Sequence, residues 1–412
     1  MTGARAASAR LRRAAPALLV VSVAARLLWV FFLPNGRNFV DLRVYVDGSA
    51  ALVRGGLYEF TYSALTPDFP LPFTYPPFAA LVFFPLHYLP FGFVGVVWQL
   101  LTMAALYAIV RITFDLLLGE RAAEPGWRHM AMVWTAVGLW TEPVRTTLDY
   151  GQVNVFLVLA VLVAARSSKW WWSGLLVGFV AGIKLTPAVA GLYFVARRRW
   201  AATAMSAVAF GATVALSYLV IGDQARQYFG HLLGDASRIG PVGSVWNQSL
   251  RGALSRIAGH DVGSGALWVG AVAVTAALAF VAWRSLAPDD RLGTLLVVSL
   301  FGLMASPISW SHHWVWVVPM LIWLVHGPYR QLAGTKLVTA YWAIDTLVGV
   351  PWILAFFQQD QWPISRPGVL AWLGAVDMVG VVLFFVWVSY AGRAVTAEPA
   401  DQSPALAIDP VR

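Results

Sequence analysis

A chain of 412 residues that is 59% hydrophobic and only 12% charged lies outside the composition of soluble globular proteins and fits one solvated mainly by lipid. Its net charge of +9 does not imply nucleic acid, because the basic residues stand in short clusters between apolar segments instead of forming a stripe. The lack of cysteine excludes disulfides, thiolate catalysis and cysteine-ligated metal.

In chain order, the basic residues Arg5, Arg10, Arg12 and Arg13 precede an apolar run over 16–33. No small-residue cleavage site follows, so the pattern predicts a retained first span and not a signal peptide. A span needs roughly 20 apolar residues. Further spans are predicted over 91–118, 129–148, 152–166, 171–184, 186–196, 200–221, 265–286, 292–306, 312–326, 337–356 and 369–391. The segment 77–90, interrupted by Pro85 and Pro90, is predicted to enter the membrane without crossing it, and 171–196 to form a hairpin with Lys184 at its tip. The fold class is therefore all-α, a polytopic integral membrane protein of about 12 spans with amphipathic or re-entrant helices at the outer face. It forms one transmembrane domain over 1–391, with long outer loops over 34–76 and 222–264 and a disordered cytoplasmic tail over 392–412.

Arg121 with Arg128, Arg166 with Lys169, Arg197 to Arg199, Arg284 with Arg291, and Arg330 with Lys336 fall on the same side as the N-terminal arginines. The excess of Lys and Arg in cytoplasmic loops then puts both termini inside. Trp170, Trp171 and Trp172 suit an interfacial belt, and Arg26 and Arg145, the main charges within spans, are expected to reach an interface.

With this orientation, VDLRVYVDG (40–48), DYGQ (149–152), KLTP (184–187), VWNQS (245–249) and SPISWSHHW (306–314) all fall at the outer face. Ionisable groups at a membrane boundary are costly unless solvated or paired, so their convergence marks a candidate site facing away from the cytoplasm. Asp41 opens an amphipathic pattern through Arg54 in which Val40, Val44 and Leu52 supply the membrane-facing side. It can act as a general base, its pKa raised by desolvation, or as a helix N-cap. Adjacent His312 and His313 point in different directions on a helix and make a poor pair of ligands for one metal. Proton transfer, a hydrogen bond to substrate, or a structural role fits them better. Lys184, flanked by apolar residues, calls for an anionic partner such as phosphate or snorkels to the interface. The aromatic and proline-rich stretch 73–92, with Tyr75, suits either a groove for a lipid chain or an interfacial helix.

DLRVY after the first span, LPFTYPPFAALVFFPL, DYGQVN, GIKLTP and SPISWSHHW, in this order and spacing, resemble the actinobacterial polyprenyl-phosphate-mannose-dependent mannosyltransferases of glycosyltransferase family 87, within the GT-C superfamily. The resemblance implies an inverting α-1,2-mannosyltransferase with a lipid-linked donor, polyprenyl-phosphate-mannose, and a glycolipid acceptor. The acceptor would be a phosphatidylinositol mannoside at the tetramannoside-to-pentamannoside step. It further implies that Asp41 is the base, that one or both of His312 and His313 are catalytic, and that Lys184 stabilises the lipid phosphate. Asp149 and Gln152 would contact a sugar, as would Asn247 and Gln248, and Asp47 and Tyr75 would complete the substrate-binding set. The chain lacks the paired acidic run of some metal-dependent relatives, so neither a metal nor any other cofactor is expected. No nucleic-acid partner is expected either. Branching of lipomannan or lipoarabinomannan is the nearest alternative. A transporter or flippase of lipid-linked sugar is the second, although the internal repeats expected of one are not evident.

Overall fold

The computed structural model describes residues 2–33, 38–67, 69–358, 360, 362–364 and 368–397, with side chains described from 12 to 394. Helices carry about 76% of it, and one antiparallel pair among the described residues, Thr61–Tyr62 with Leu71–Pro72, registers Thr61 opposite Pro72. Six helical segments among the described residues are long and apolar enough to cross a membrane: Arg12–Phe32, Phe91–Ala123, Trp200–Leu232, Ala266–Ser285, Thr335–Ala355 and Val376–Ala394. Their outward faces are apolar, with Val20, Val21, Leu28, Leu219 and Leu337 exposed, as lipid-facing surfaces require. The protein is thus a multi-pass all-α membrane protein.

Several of the expected spans are divided by local chemistry. The run 129–148 is two helices, Pro125–Gly138 and Glu142–Tyr150. Thr141 between them is extended, and its hydroxyl donates to the Gly138 carbonyl while Pro143 opens the next helix. The run 312–326 begins as a 3-10 helix, Ser311–Trp316, before Val317–His326 becomes α. The run 337–356 is interrupted by a π-turn, Asp345–Gly349, and by Pro351 just after it. The run 200–221 ends where expected: Ile221 and Gly222 leave helical geometry, with Gly222 at φ +28°. The short apolar helices Pro77–Tyr88, Asn154–Arg166 and Arg291–Ala305 complete the bundle from within. The last helix continues to Ala397, into the stretch expected as tail; 398–412 lies outside the described residues.

The most extensive helix pair joins Trp170–Ile183 to Trp200–Gln227. Gly174, Gly178 and Gly182 line one face at intervals of one turn, and a Cβ at any of them would overlap Ala202, Ser206 or Thr213 across the interface. Small residues at this spacing let backbones approach in a setting where lipid supplies little hydrophobic driving force between helices. The pair fixes where Lys184, directly after the first of these helices, emerges.

Arg26 is turned into the protein. Its side chain is fully buried, pairs with Asp149, and donates to the Arg145 carbonyl at 2.9 Å, with its guanidinium 5.7 Å from the Trp140 ring. The segment after the first span is likewise turned inward: Val40 and Val44 are buried and Leu52 is half-buried against the core, so the membrane-facing side expected there is a protein-facing one.

Gly178→Leu is expected to disrupt the paired helices and cost about 1–3 kcal/mol through overpacking. Gly211→Leu, whose Cβ would meet nothing within 4 Å, should stay within about 0.5 kcal/mol of the parent. Thermal unfolding in detergent followed by size-exclusion chromatography measures both.

Candidate active site

A cavity of about 920 Å³ is lined by Asp41, Tyr75, Gln152, Lys184, His312 and His313 together with a largely apolar wall. Asp41 lies in the first turn of a short helix, Val40–Arg43, whose N-cap position is taken by Phe39 without a side-chain cap. The carboxylate is therefore not an N-cap. The Phe39 backbone N–H donates to the Asp149 carbonyl at 2.8 Å, which pins the start of this helix to the helix Glu142–Tyr150. Phe39 is held at φ +47° there, a left-handed conformation that is uncommon outside glycine.

Gln152 follows that helix after Gly151, whose φ of +70° ends it. Its side chain is a hub: the Oε1 accepts from the Tyr45 hydroxyl at 2.8 Å and from Lys184 Nζ at 3.4 Å, and the Nε2 donates to the Tyr75 hydroxyl at 3.1 Å. Lys184 Nζ also donates to Asn154 Oδ1 at 3.0 Å, while Asn154 Nδ2 donates to the His312 carbonyl at 2.9 Å. One buried amide thus fixes both the ammonium and the backbone of the histidine segment. The His312 and His313 rings meet edge to face with centroids 4.9 Å apart, and the Tyr150 ring meets His312 in the same way at 5.9 Å. Both nitrogens of His313 and Nε2 of His312 have no hydrogen-bond partner among the described residues, and both rings line the cavity.

Burial pushes the Asp41 carboxyl up to about 6; the ammonium of Lys184 and the Gln152 amide oppose that rise. The result is a carboxylate that is ionised near neutrality yet basic enough to accept a proton. Lys184 lies close enough to interact electrostatically with it; burial lowers the ammonium's pKa and Asp41 opposes that fall.

Other residues singled out from the sequence lie elsewhere. Asp149 is committed to Arg26 and does not line the cavity. Asp47 sits 3.6 Å from Arg43, one turn away on the same segment, and is also outside the lining. Asn247 and Gln248 are fully buried and serve the backbone. Asn247 Oδ1 accepts from the Ser309 N–H at 2.9 Å, and Gln248 donates to the Val245 and Gly374 carbonyls, each at 2.8 Å. Backbone bonds Gln248 to Ser309 at 2.8 Å and Ser311 to Trp246 at 3.0 Å complete this clamp on the segment leading into the histidines.

Two contributors were missed. Asn154 had a usable signal, a polar residue opening an otherwise apolar helix two positions after Gln152. Tyr45 had none, since an aromatic beside a membrane span is ordinary.

The sequence model described as glycosyltransferase family 87 matches residues 73–307. The polyprenol-phosphate-mannose-dependent alpha-(1-2)-phosphatidylinositol pentamannoside mannosyltransferase of Mycolicibacterium smegmatis is 57% identical over 389 residues, 94% of each chain. The protein of the same description from Mycobacterium tuberculosis is 55% identical over 392 residues, 95% of this chain and 90% of its own. A second Mycobacterium tuberculosis protein, a polyprenol-phosphate-mannose-dependent alpha-(1-2)-phosphatidylinositol mannoside mannosyltransferase, is 32% identical over 383 residues, 88% and 86% of the two chains. No solved structure matches the chain.

Gln152→Ala removes the shared partner of Tyr45, Tyr75 and Lys184, and should lower the free energy of unfolding by about 1–3 kcal/mol because buried polar groups are left unpaired. Thermal or denaturant unfolding in detergent checks this; an unchanged midpoint would show that the hub contributes nothing to stability.

Proposed function

The chain belongs to glycosyltransferase family 87, and from that premise we propose that its cavity transfers mannose from polyprenyl-phosphate-mannose to the 2-hydroxyl of a mannose on a phosphatidylinositol mannoside, the acylated tetramannoside-to-pentamannoside step. Membership in a glycosyltransferase family leaves the transporter alternative without support. The observation that carries the chemistry is the meeting of a carboxylate, Asp41, with an ammonium, Lys184, on one cavity whose remaining wall is largely apolar.

Asp41 takes the proton of the attacking hydroxyl as its oxygen bonds to the anomeric carbon. The bond from that carbon to the phosphate oxygen breaks on the opposite face, so a β-linked donor gives an α-linked product. The electron pair leaves with polyprenyl phosphate, which needs no acid to depart, and Lys184 balances the charge that develops there. Held between Gln152 and Asn154, the ammonium is preorganised, so little reorganisation is needed as the charge appears. His312 and His313 offer unpartnered ring nitrogens as hydrogen-bond partners for the sugars. The apolar wall suits the polyprenyl and acyl chains.

The relatives named for the pentamannoside match at 57% and 55%, against 32% for the one named for a phosphatidylinositol mannoside without that qualifier, which supports the pentamannoside assignment. The site is taken to face the outer side of the cytoplasmic membrane, with both termini inside, on the distribution of basic clusters.

Mannose transfer by the purified protein from synthetic polyprenyl-phosphate-mannose to a tetramannoside acceptor should fall roughly 10²- to 10⁴-fold in Asp41→Asn with the fold retained. Transfer by the wild type only to longer mannans would overturn the acceptor assignment. With the Asp41 carboxyl near 6, kcat/KM should drop as the pH falls through that value, because the protonated acid cannot accept the hydroxyl proton. A profile with no acidic limb at any pH would exclude Asp41 as the base. Lys184→Met should lower kcat about 10²-fold or more.

A further inference from the structure

Both substrates of the proposed reaction carry a phosphate, one on the donor at the bond that breaks and one on the acceptor at its lipid end. Apart from the histidines, the cavity lining among the described residues contains two basic side chains, Lys184 and Arg238. They come from different parts of the chain. Lys184 follows the helix Trp170–Ile183 and is held at the Asp41 end of the cavity. Arg238 ends a 3-10 turn, Ala236–Arg238, in the segment that follows the helix Trp200–Gln227 beyond its break at Ile221 and Gly222.

The Arg238 guanidinium is held but not used up. Its Nη2 donates to the Tyr58 carbonyl at 3.1 Å, and its centre lies 5.6 Å from the Tyr58 ring. Tyr58 is itself stacked on Tyr228 with ring centroids 5.5 Å apart. The Tyr58 ring and one hydrogen bond hold the guanidinium in place and leave most of its five donors for another partner. Arg238 belongs to none of the ion pairs among the described residues. The nearby carboxylate of Asp235 is occupied by Ser237, accepting from its N–H at 3.1 Å and from its hydroxyl at 2.5 Å.

Resting on the proposed function, we propose that Arg238 forms a second anion subsite, which binds the phosphodiester of the acceptor glycolipid while Lys184 serves the phosphate of the donor. The division follows from chemistry: the phosphate that leaves must lie beside the anomeric carbon and hence near Asp41, whereas the acceptor's phosphodiester is separated from the reacting hydroxyl by the length of its sugar chain. A planar, partly satisfied guanidinium matches a phosphodiester bidentately.

The full chain in nanodiscs of uncharged phosphatidylcholine tests this with two acceptors, a phosphatidylinositol mannoside and the same mannoside on an uncharged dialkylglycerol anchor. Arg238→Gln should raise KM for the phosphate-bearing acceptor about 10-fold or more, leave its KM for the uncharged acceptor, the donor KM and kcat unchanged, and be partly rescued by Arg238→Lys. An equal loss on both acceptors would assign Arg238 a structural role, and a rise in donor KM would assign it to the donor; either overturns the proposal. Adding phosphatidylglycerol to the nanodiscs distinguishes the source of the headgroup: inhibition that Arg238→Gln abolishes would give the subsite to bulk anionic lipid instead. Binding of labelled phosphatidylinositol, weakened about 10-fold in Arg238→Gln, is read without turnover. A wild type that binds this probe through Arg238 but transfers no mannose would overturn the proposed reaction and leave the subsite standing.

Discussion

A charged guanidinium buried inside a membrane span must be paired, and Arg26 meets that requirement through Asp149 on the helix Glu142–Tyr150. Its hydrogen bond to the Arg145 carbonyl ties the same two elements a second time. From that point the rest of the site is reached by short covalent steps. The Asp149 carbonyl accepts from Phe39, two residues before Asp41, and Gln152 lies three residues after Asp149. Asp149, outside the cavity lining, thus holds in register the two stretches of chain that bring the carboxylate and the amide hub to the cavity.

The polar network around Gln152 and Asn154 follows the same logic. In a bundle whose outer surface faces lipid, an ammonium without partners is costly. Lys184 resolves this with two amide oxygens instead of a carboxylate within ion-pair distance. Amides orient the charge without neutralising it, so it remains available to a phosphate. The clamp formed by Asn247, Gln248 and Trp246 on the segment 306–311 holds the approach to the histidines as Asn154 holds Lys184, here chiefly through backbone bonds at buried positions.

Much of this was legible in the chain itself. The span 91–118 is reproduced to the residue, and the breaks at Lys184 and at Ile221 with Gly222 fall where hydropathy changes. These features are local: length, apolarity, glycine and proline act on their immediate neighbours. Misreadings arose where one apolar run contained a hidden break, as at Thr141, or where inward and outward apolar faces look alike, as at Val40 and Val44. In a membrane protein hydrophobicity does not distinguish the side facing lipid from the side facing protein, so the usual amphipathic signal loses its direction.

The sequence by itself determined the class of molecule, the helical segments, and the polar stretches from which a site could be built, because lipid tolerates only long apolar helices with satisfied backbones. Only the tertiary structure decided which polar residues share a cavity. It brought Asp41, Gln152, Lys184, His312 and His313 together, placed Asn154, Asp149, Asn247 and Gln248 behind them, left Asp47 with Arg43, and added Arg238 to the lining. The physical reason is that a buried polar group must find its partner wherever packing provides one, and the partner of a residue in one helix is set by the approach of another, a distance in space that no local pattern encodes.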